Sequence, residues 1–111
     1  MQQPYHLFND ALIDAQSMSS DITSDPYNIN EAISFSVQAI WSNGSSPVGD
    51  FVLQGSNDNS TFTDLTSGSV SGNSGSILIN VEKPAYAWIR LFYDRTSGSG
   101  TLTAIVNGKR G

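Results

Sequence analysis

An all-β antiparallel sandwich is the fold class that this sequence predicts, and three observations carry it. Glu31–Trp41 alternates throughout: Ile33, Phe35, Val37, Ala39 and Trp41 share one face, and Ala32, Ser34, Ser36, Gln38 and Ile40 the other. That is the period-2 mark of a half-buried strand. Segments of this kind, five to eleven residues long, are separated by clusters of Gly, Ser, Asn and Asp, the residues that turn a chain. No stretch shows helical period and no internal repeat is visible, which excludes bundles, solenoids and propellers. At 111 residues the chain is one domain, large enough for a single two-layer core and too small for two.

In order along the chain, residues 1–10 form an N-terminal arm carrying Pro4, Tyr5, His6, Leu7 and Phe8. Such an arm either tucks under its own sandwich or reaches onto a neighbour. Residues 11–111 are the sandwich domain. Ala11–Ala15 opens it with Leu12 and Asp14 opposed to Ile13, a short edge strand is expected around Met18–Ile22, and Asp25-Pro26 marks a turn. Glu31–Trp41 is a strand about 35 Å long at ~3.3 Å per residue. Asn43-Gly44-Ser45-Ser46-Pro47 turns the chain, Asp50–Gln54 points Phe51 and Leu53 inward, and Ser56–Ser60 turns into Thr61–Leu65. Thr66–Gly75, rich in glycine and serine, reads as a pliable loop, and Ser76–Val81 as a strand with Ile77, Ile79 and Val81 on one face.

The closing stretch is predicted to be a hairpin, with strands Ala85–Arg95 and Thr101–Asn107 joined by Thr96-Ser97-Gly98-Ser99-Gly100. Its second strand alternates, Leu102, Ala104 and Val106 against Thr101 and Thr103. Its first is apolar on both faces: Ala87, Ile89, Leu91 and Tyr93 on one, Tyr86, Trp88 and Phe92 on the other, interrupted by Arg90. Such a strand is either central in a two-sided packing or offers its outer face to a partner. For Trp41 the alternation favours the core; for Trp88 it favours neither core nor surface.

YAWIRLFYDRTSGSGTLTAIVNGK, roughly the last quarter of the chain, resembles the closing segment of small β-rich virion proteins of tailed bacteriophages. A tyrosine-aromatic-x-arginine strand, an RTSGxGTL turn and a C-terminal NGK recur in them. With the chain length, it most resembles the capsid decoration (staple) proteins of epsilon15-like short-tailed phages. LQGSNDNSTFTDL, Leu53–Leu65, is similar to a hairpin of discoidin-like jelly rolls, although Asn59 stands where glycine is usual and Phe62 where tryptophan is usual. The two likenesses favour a jelly-roll-like sandwich. The first implies a virion protein on the capsid exterior, made in the host cytoplasm, whose partner is the major capsid protein.

Composition narrows the alternatives. Eight of the ten acids precede residue 65 and all five bases follow residue 82, within a net charge of −5. So acidic a chain lacks the clustered Lys and Arg that bind phosphate backbones, so no nucleic acid is expected. No apolar run approaches the ~20 residues of a membrane span, so no membrane partner is expected. MQQPYHLFND has neither a basic n-region nor an apolar h-region, and no secretory signal is expected. Zero cysteines exclude disulfides and thiolate metal sites.

With one histidine and no G-x-S-x-G motif, no triad is expected, and the acids lie in turns that offer no cleft for paired carboxylates. Asn57–Asp64 is an oxygen-rich loop, but Thr63 and Ser69 break the EF-hand pattern, so it is read as turn chemistry with calcium a minor alternative. The protein is expected to be non-enzymatic, with no cofactor and no metal. A carbohydrate-binding module of a tail or fibre is the rival reading, since Trp41, Trp88, Tyr86 and Tyr93 are available for stacking. The expected partner-contact residues are Tyr86, Trp88, Arg90 and Phe92, then Tyr5, His6, Leu7 and Phe8. A homodimer is expected through the surplus apolar face of Ala85–Arg95.

Overall fold

The computed structural model describes residues 5–110. Seven strands make it up: β1 (Tyr5–Ser17), β2 (Ile22–Thr23), β3 (Tyr27–Asn28), β4 (Ser34–Ser56), β5 (Thr63–Ser69), β6 (Gly75–Glu82) and β7 (Trp88–Arg110). Every pairing is antiparallel. The spine is β4 against β7, two 23-residue strands paired from Ser34↔Lys109 to Ser56↔Trp88. The first half of β4 takes β6 on its other side and the second half takes β5. The second half of β7 takes β1, and its first half takes β2 and β3. One hydrogen-bonded ribbon thus doubles over into a jelly-roll-like sandwich. The first layer runs β1-β7-β4-β6, and the second runs β2 and β3, β7, β4, β5.

The core is the meeting of the alternating sets. Phe35, Val37, Ala39, Trp41, Leu102, Ala104 and Val106 come from the first layer, and Phe51, Leu53, Ile89, Leu91 and Tyr93 from the second; all are buried. Three aromatics in tilted contact cross it: Trp41 with Phe51 at 5.4 Å and Phe51 with Tyr93 at 5.2 Å between centroids. The Trp41 indole Nε1 donates to the Gly72 carbonyl at 3.1 Å, which satisfies the one polar atom of that ring. The strand starts later than its alternation suggests, at Ser34, and Ile33 is half exposed at 49%.

The predicted hairpin is absent. Thr96–Gly100 remains inside β7, with Ser97 opposite Val48 and Ser99 opposite Ser45, and Asn43–Pro47 likewise remains inside β4. The two Gly/Ser stretches lie against each other and form the corner at which both long strands pass from one layer to the other. Register shifts crowd this point, between Ser42 and Ser45, Ser45 and Val48, and Val48 and Gly49, and such irregularities bend and twist a strand sharply. Gly98 has φ +79°, and a Cβ there would overlap the Ser46 carbonyl and lie 2.6 Å from Pro47 Cα. Glycine is needed because backbone approaches backbone, not because a loop turns.

Thr66–Gly75 is also more ordered than its composition predicts. Residues 66–69 pair with β4. Asn73 then pins the corner, its carbonyl accepting from Gly44 N at 2.9 Å and its Oδ1 accepting from Ser46 N at 3.0 Å. The N-terminal arm is paired within the chain from Tyr5 onward, as the first half of β1.

Candidate functional site

Along β7, Trp88, Arg90 and Phe92 alternate with Ile89, Leu91 and Tyr93, which are fully buried, so the first three form a half-buried stripe on the outer face of the second layer. Directly across on β4 lie Ser56, Gln54 and Val52; on the other flank Asn28 faces Trp88 and Thr23 faces Phe92. Arg90 is held in the middle of this stripe. Its Nε donates to Gln54 Oε1 at 2.7 Å, Gln54 Nε2 donates to Asp64 Oδ1 at 2.8 Å, and the guanidinium lies 4.2 Å from the Phe62 ring centroid. The row Arg90–Gln54–Asp64 is two cross-strand pairs that share Gln54, so the sheet itself sets the spacing. The cation–π contact contributes about 0.5–1 kcal/mol at such a site. The result is an arginine restrained along its Nε edge and on one face, between two aromatic rings. This composition and pre-ordering suit a protein contact.

Tyr86 does not join the stripe. Residues 83–87 leave the sheet and β7 begins only at Trp88, so the two-residue parity that would group Tyr86 with Trp88 does not apply. The Tyr86 ring instead meets Phe35 edge-on at 6.4 Å and covers Gly55, and burial pushes its hydroxyl pKa up. It forms one wall of an open depression of about 380 Å³ whose other lining includes Asn57, Asp58, Thr61 and Thr63.

Asp58 is engaged in its own turn. Its Oδ1 accepts from Thr61 N at 2.8 Å, Ser60 N at 2.9 Å and Ser56 Oγ at 2.8 Å, and these bonds hold its carboxyl at about 2. Asn59, at φ +57°, takes the left-handed position where the discoidin-like hairpin has glycine; asparagine tolerates it well. Among the described residues, no three of His, Cys, Asp and Glu converge on one point.

The two lateral openings of the sandwich differ. On the β1/β3 side, Phe8 meets Tyr27 edge-on at 5.0 Å and the Tyr27 hydroxyl donates to Asp10 Oδ2. Burial first, and then Asp10, push the Tyr27 hydroxyl up to about 12. Phe8, expected as a contact residue, is part of this seam and also covers Gly108. The backbones of Tyr5 and His6 pair with Arg110 and Lys109; the side chains of Tyr5, His6 and Leu7 lie outside the described residues. On the β5/β6 side a groove of about 600 Å³ is open, lined by Leu65, Ile77, Ile79, Val81 and Tyr86 together with the polar Thr66, Ser67, Asn80 and Glu82. Sequence reasoning missed this groove, although its signal was present: no charged residue occurs between Asp64 and Glu82.

No protein-family model matches the chain, and no curated protein matches it by sequence. Solved structures do. The SPBc2 prophage-derived protein YomS superposes with a TM-score of 0.64 at 15% identity, over 96% of each chain. A subunit of the Bacillus endospore appendages, described as disulfide-linked pili, gives 0.53 at 12% identity over 99% of this chain and 93% of that one. A family 4 carbohydrate-binding module structure gives 0.52 at 7% identity, over 81% of this chain and 61% of that one. At these identities the likeness is one of fold: the chain is an all-β, jelly-roll-like sandwich of the kind found in a prophage-derived protein, a pilus subunit and a sugar-binding module.

Proposed function

We propose that the protein is a non-enzymatic virion protein that binds the outer surface of a phage capsid, through the major capsid protein, and stabilises the shell. The observation that carries this reading is the Trp88–Arg90–Phe92 stripe, with Arg90 restrained by Gln54 and Phe62 on a rigid sheet. The closing-segment resemblance to phage decoration proteins and the fold shared with a prophage-derived protein support it. The mechanism is cross-linking: a rigid sandwich that touches two capsomers converts two weak contacts into one avid contact. Binding only to the assembled shell stabilises that shell by mass action.

The test is to mix purified protein with expanded shells that lack it, pellet the particles, and measure copies bound and shell melting temperature. Saturation at a copy number set by icosahedral symmetry, with a raised melting temperature, is expected; absence of binding overturns the proposal. A second reading rests on the Tyr86 depression, where an aromatic ring adjoins Asn57, Thr61 and Thr63: a carbohydrate-binding, adhesin-like module of a tail or fibre. A glycan array decides it, since binding lost in Tyr86→Ala and kept in Trp88→Ala would favour the sugar reading.

A further inference from the structure

Three of the four sheet edges carry devices that block strand addition. β1 is broken by three register shifts and carries Asp10 and Asp14. β2 and β3 are two residues each, separated by Pro26. β5 has a register shift opposite Leu53/Gln54 and carries Asp64. Bulges, prolines, short lengths and charges are the means by which edges avoid pairing with another chain. β6 has none of them before its last residue. Its eight residues GSILINVE pair with Ser34–Trp41 without a register shift, contain no proline, and carry no charge before Glu82. Among the described residues β6 pairs with β4 alone, and Leu78 on its outer face is 65% exposed.

We propose that β6 is a self-association edge, at which two copies of the chain pair β6 antiparallel about a twofold axis at Ile79. The occupant is a strand because an edge presents a row of backbone donors and acceptors that an extended chain satisfies. The occupant is a second copy because β6 is self-complementary in this register. Ile79 faces its own mate, Ile77 faces the partner's Val81, and Leu78 faces the partner's Asn80. The apolar rows that line the open groove therefore continue into one another. Charge points the same way: copies of a chain with net charge −5 repel, and residues 65–81, which include all of β6 but its last residue, carry no charge. The twofold places each Glu82 opposite the partner's Ser76, so no like charges are brought face to face. Because β6 belongs to the first layer, the Trp88–Arg90–Phe92 stripe on the second stays free in both copies. The inference does not depend on the capsid reading.

Sedimentation equilibrium of the full chain alone tests it, with a concentration series of wild type and Leu78→Lys. A monomer–dimer equilibrium is expected, with the dissociation constant raised about tenfold or more by a lysine beside the twofold and circular dichroism unchanged. Oxidation of Ser76→Cys/Glu82→Cys, two exposed positions, should give covalent dimers, whereas Ser76→Cys alone should not. A monomer at every concentration overturns the proposal and leaves the edge to a strand from another protein. A dimer that resists Leu78→Lys and does not cross-link through positions 76 and 82 overturns it as well.

Discussion

Gly98→Ala is the sharpest probe of the corner at which both long strands change layers. Two costs add. An L-residue at φ +79° is strained by about 1–2 kcal/mol. The new methyl also overlaps the Ser46 carbonyl and lies 2.6 Å from Pro47 Cα, both backbone and therefore unable to swing aside. Forcing such an approach costs about 1–3 kcal/mol more. The sum, about 2–5 kcal/mol, is a large share of the 5–15 kcal/mol that stabilises a typical domain. For a domain of this size about 1 kcal/mol shifts the melting temperature by roughly 4 °C, so a drop of about 8–20 °C is expected by differential scanning calorimetry. Ser97→Ala, an exposed neighbour, should change it by less than about 0.5 kcal/mol. At the tip of a free hairpin only the conformational cost would apply. A Gly98→Ala loss of about 1 kcal/mol or less would refute the corner.

Three further outcomes follow from the same geometry. Ser45 and Ser99 are direct partners across the corner, so Ser45→Cys/Ser99→Cys should close a disulfide in this cysteine-free chain. Enclosing about 55 residues, it should stabilise by up to about 4 kcal/mol in urea unfolding; free thiols after oxidation would contradict the pairing. The Asp58 carboxyl lies near 2 rather than 3.8, so its contribution is complete above the ordinary value and disappears as pH falls through about 2. The stability gap between wild type and Asp58→Asn should therefore close across that window, and a gap independent of pH there would contradict the turn's hydrogen bonding. Tyr27, raised to about 12 from 10.0, stabilises the fold below 10 and loses that contribution as pH rises through about 12. Tyr27→Phe should cost about 1–2 kcal/mol at neutral pH and remove this alkaline sensitivity, measured by denaturant midpoint.

Strands were legible wherever one face is buried and the other wet. Phe35 to Trp41, Phe51 with Leu53, and Leu102 to Val106 all occupy the core that their alternation assigns them. β1 was visible only as Ala11–Ala15 because its three register shifts interrupt the period. The corner was misread as a hairpin for a physical reason. Glycine and serine serve a turn and a close strand crossing equally well, and only the partner stretch at Asn43–Pro47, far away in sequence, distinguishes the two. Trp88 was ambiguous in the sequence, and the burial of Ile89, Leu91 and Tyr93 places it on the outer face. Tyr86 was grouped with it by parity, which holds only along an unbroken strand, and β7 begins only at Trp88, with residues 83–87 outside the sheet.

The most direct test of the contact surface is shell binding by Trp88→Ala, Arg90→Ala and Phe92→Ser, each first shown to melt near wild type, beside Ile40→Ser, an exposed position on the opposite layer. Central aromatic and arginine contacts typically contribute 2 kcal/mol or more, so the three stripe variants should each bind shells about 30-fold more weakly, while Ile40→Ser saturates them as an unaltered subunit does. Stripe variants that decorate shells at wild-type affinity would contradict the assignment of this face.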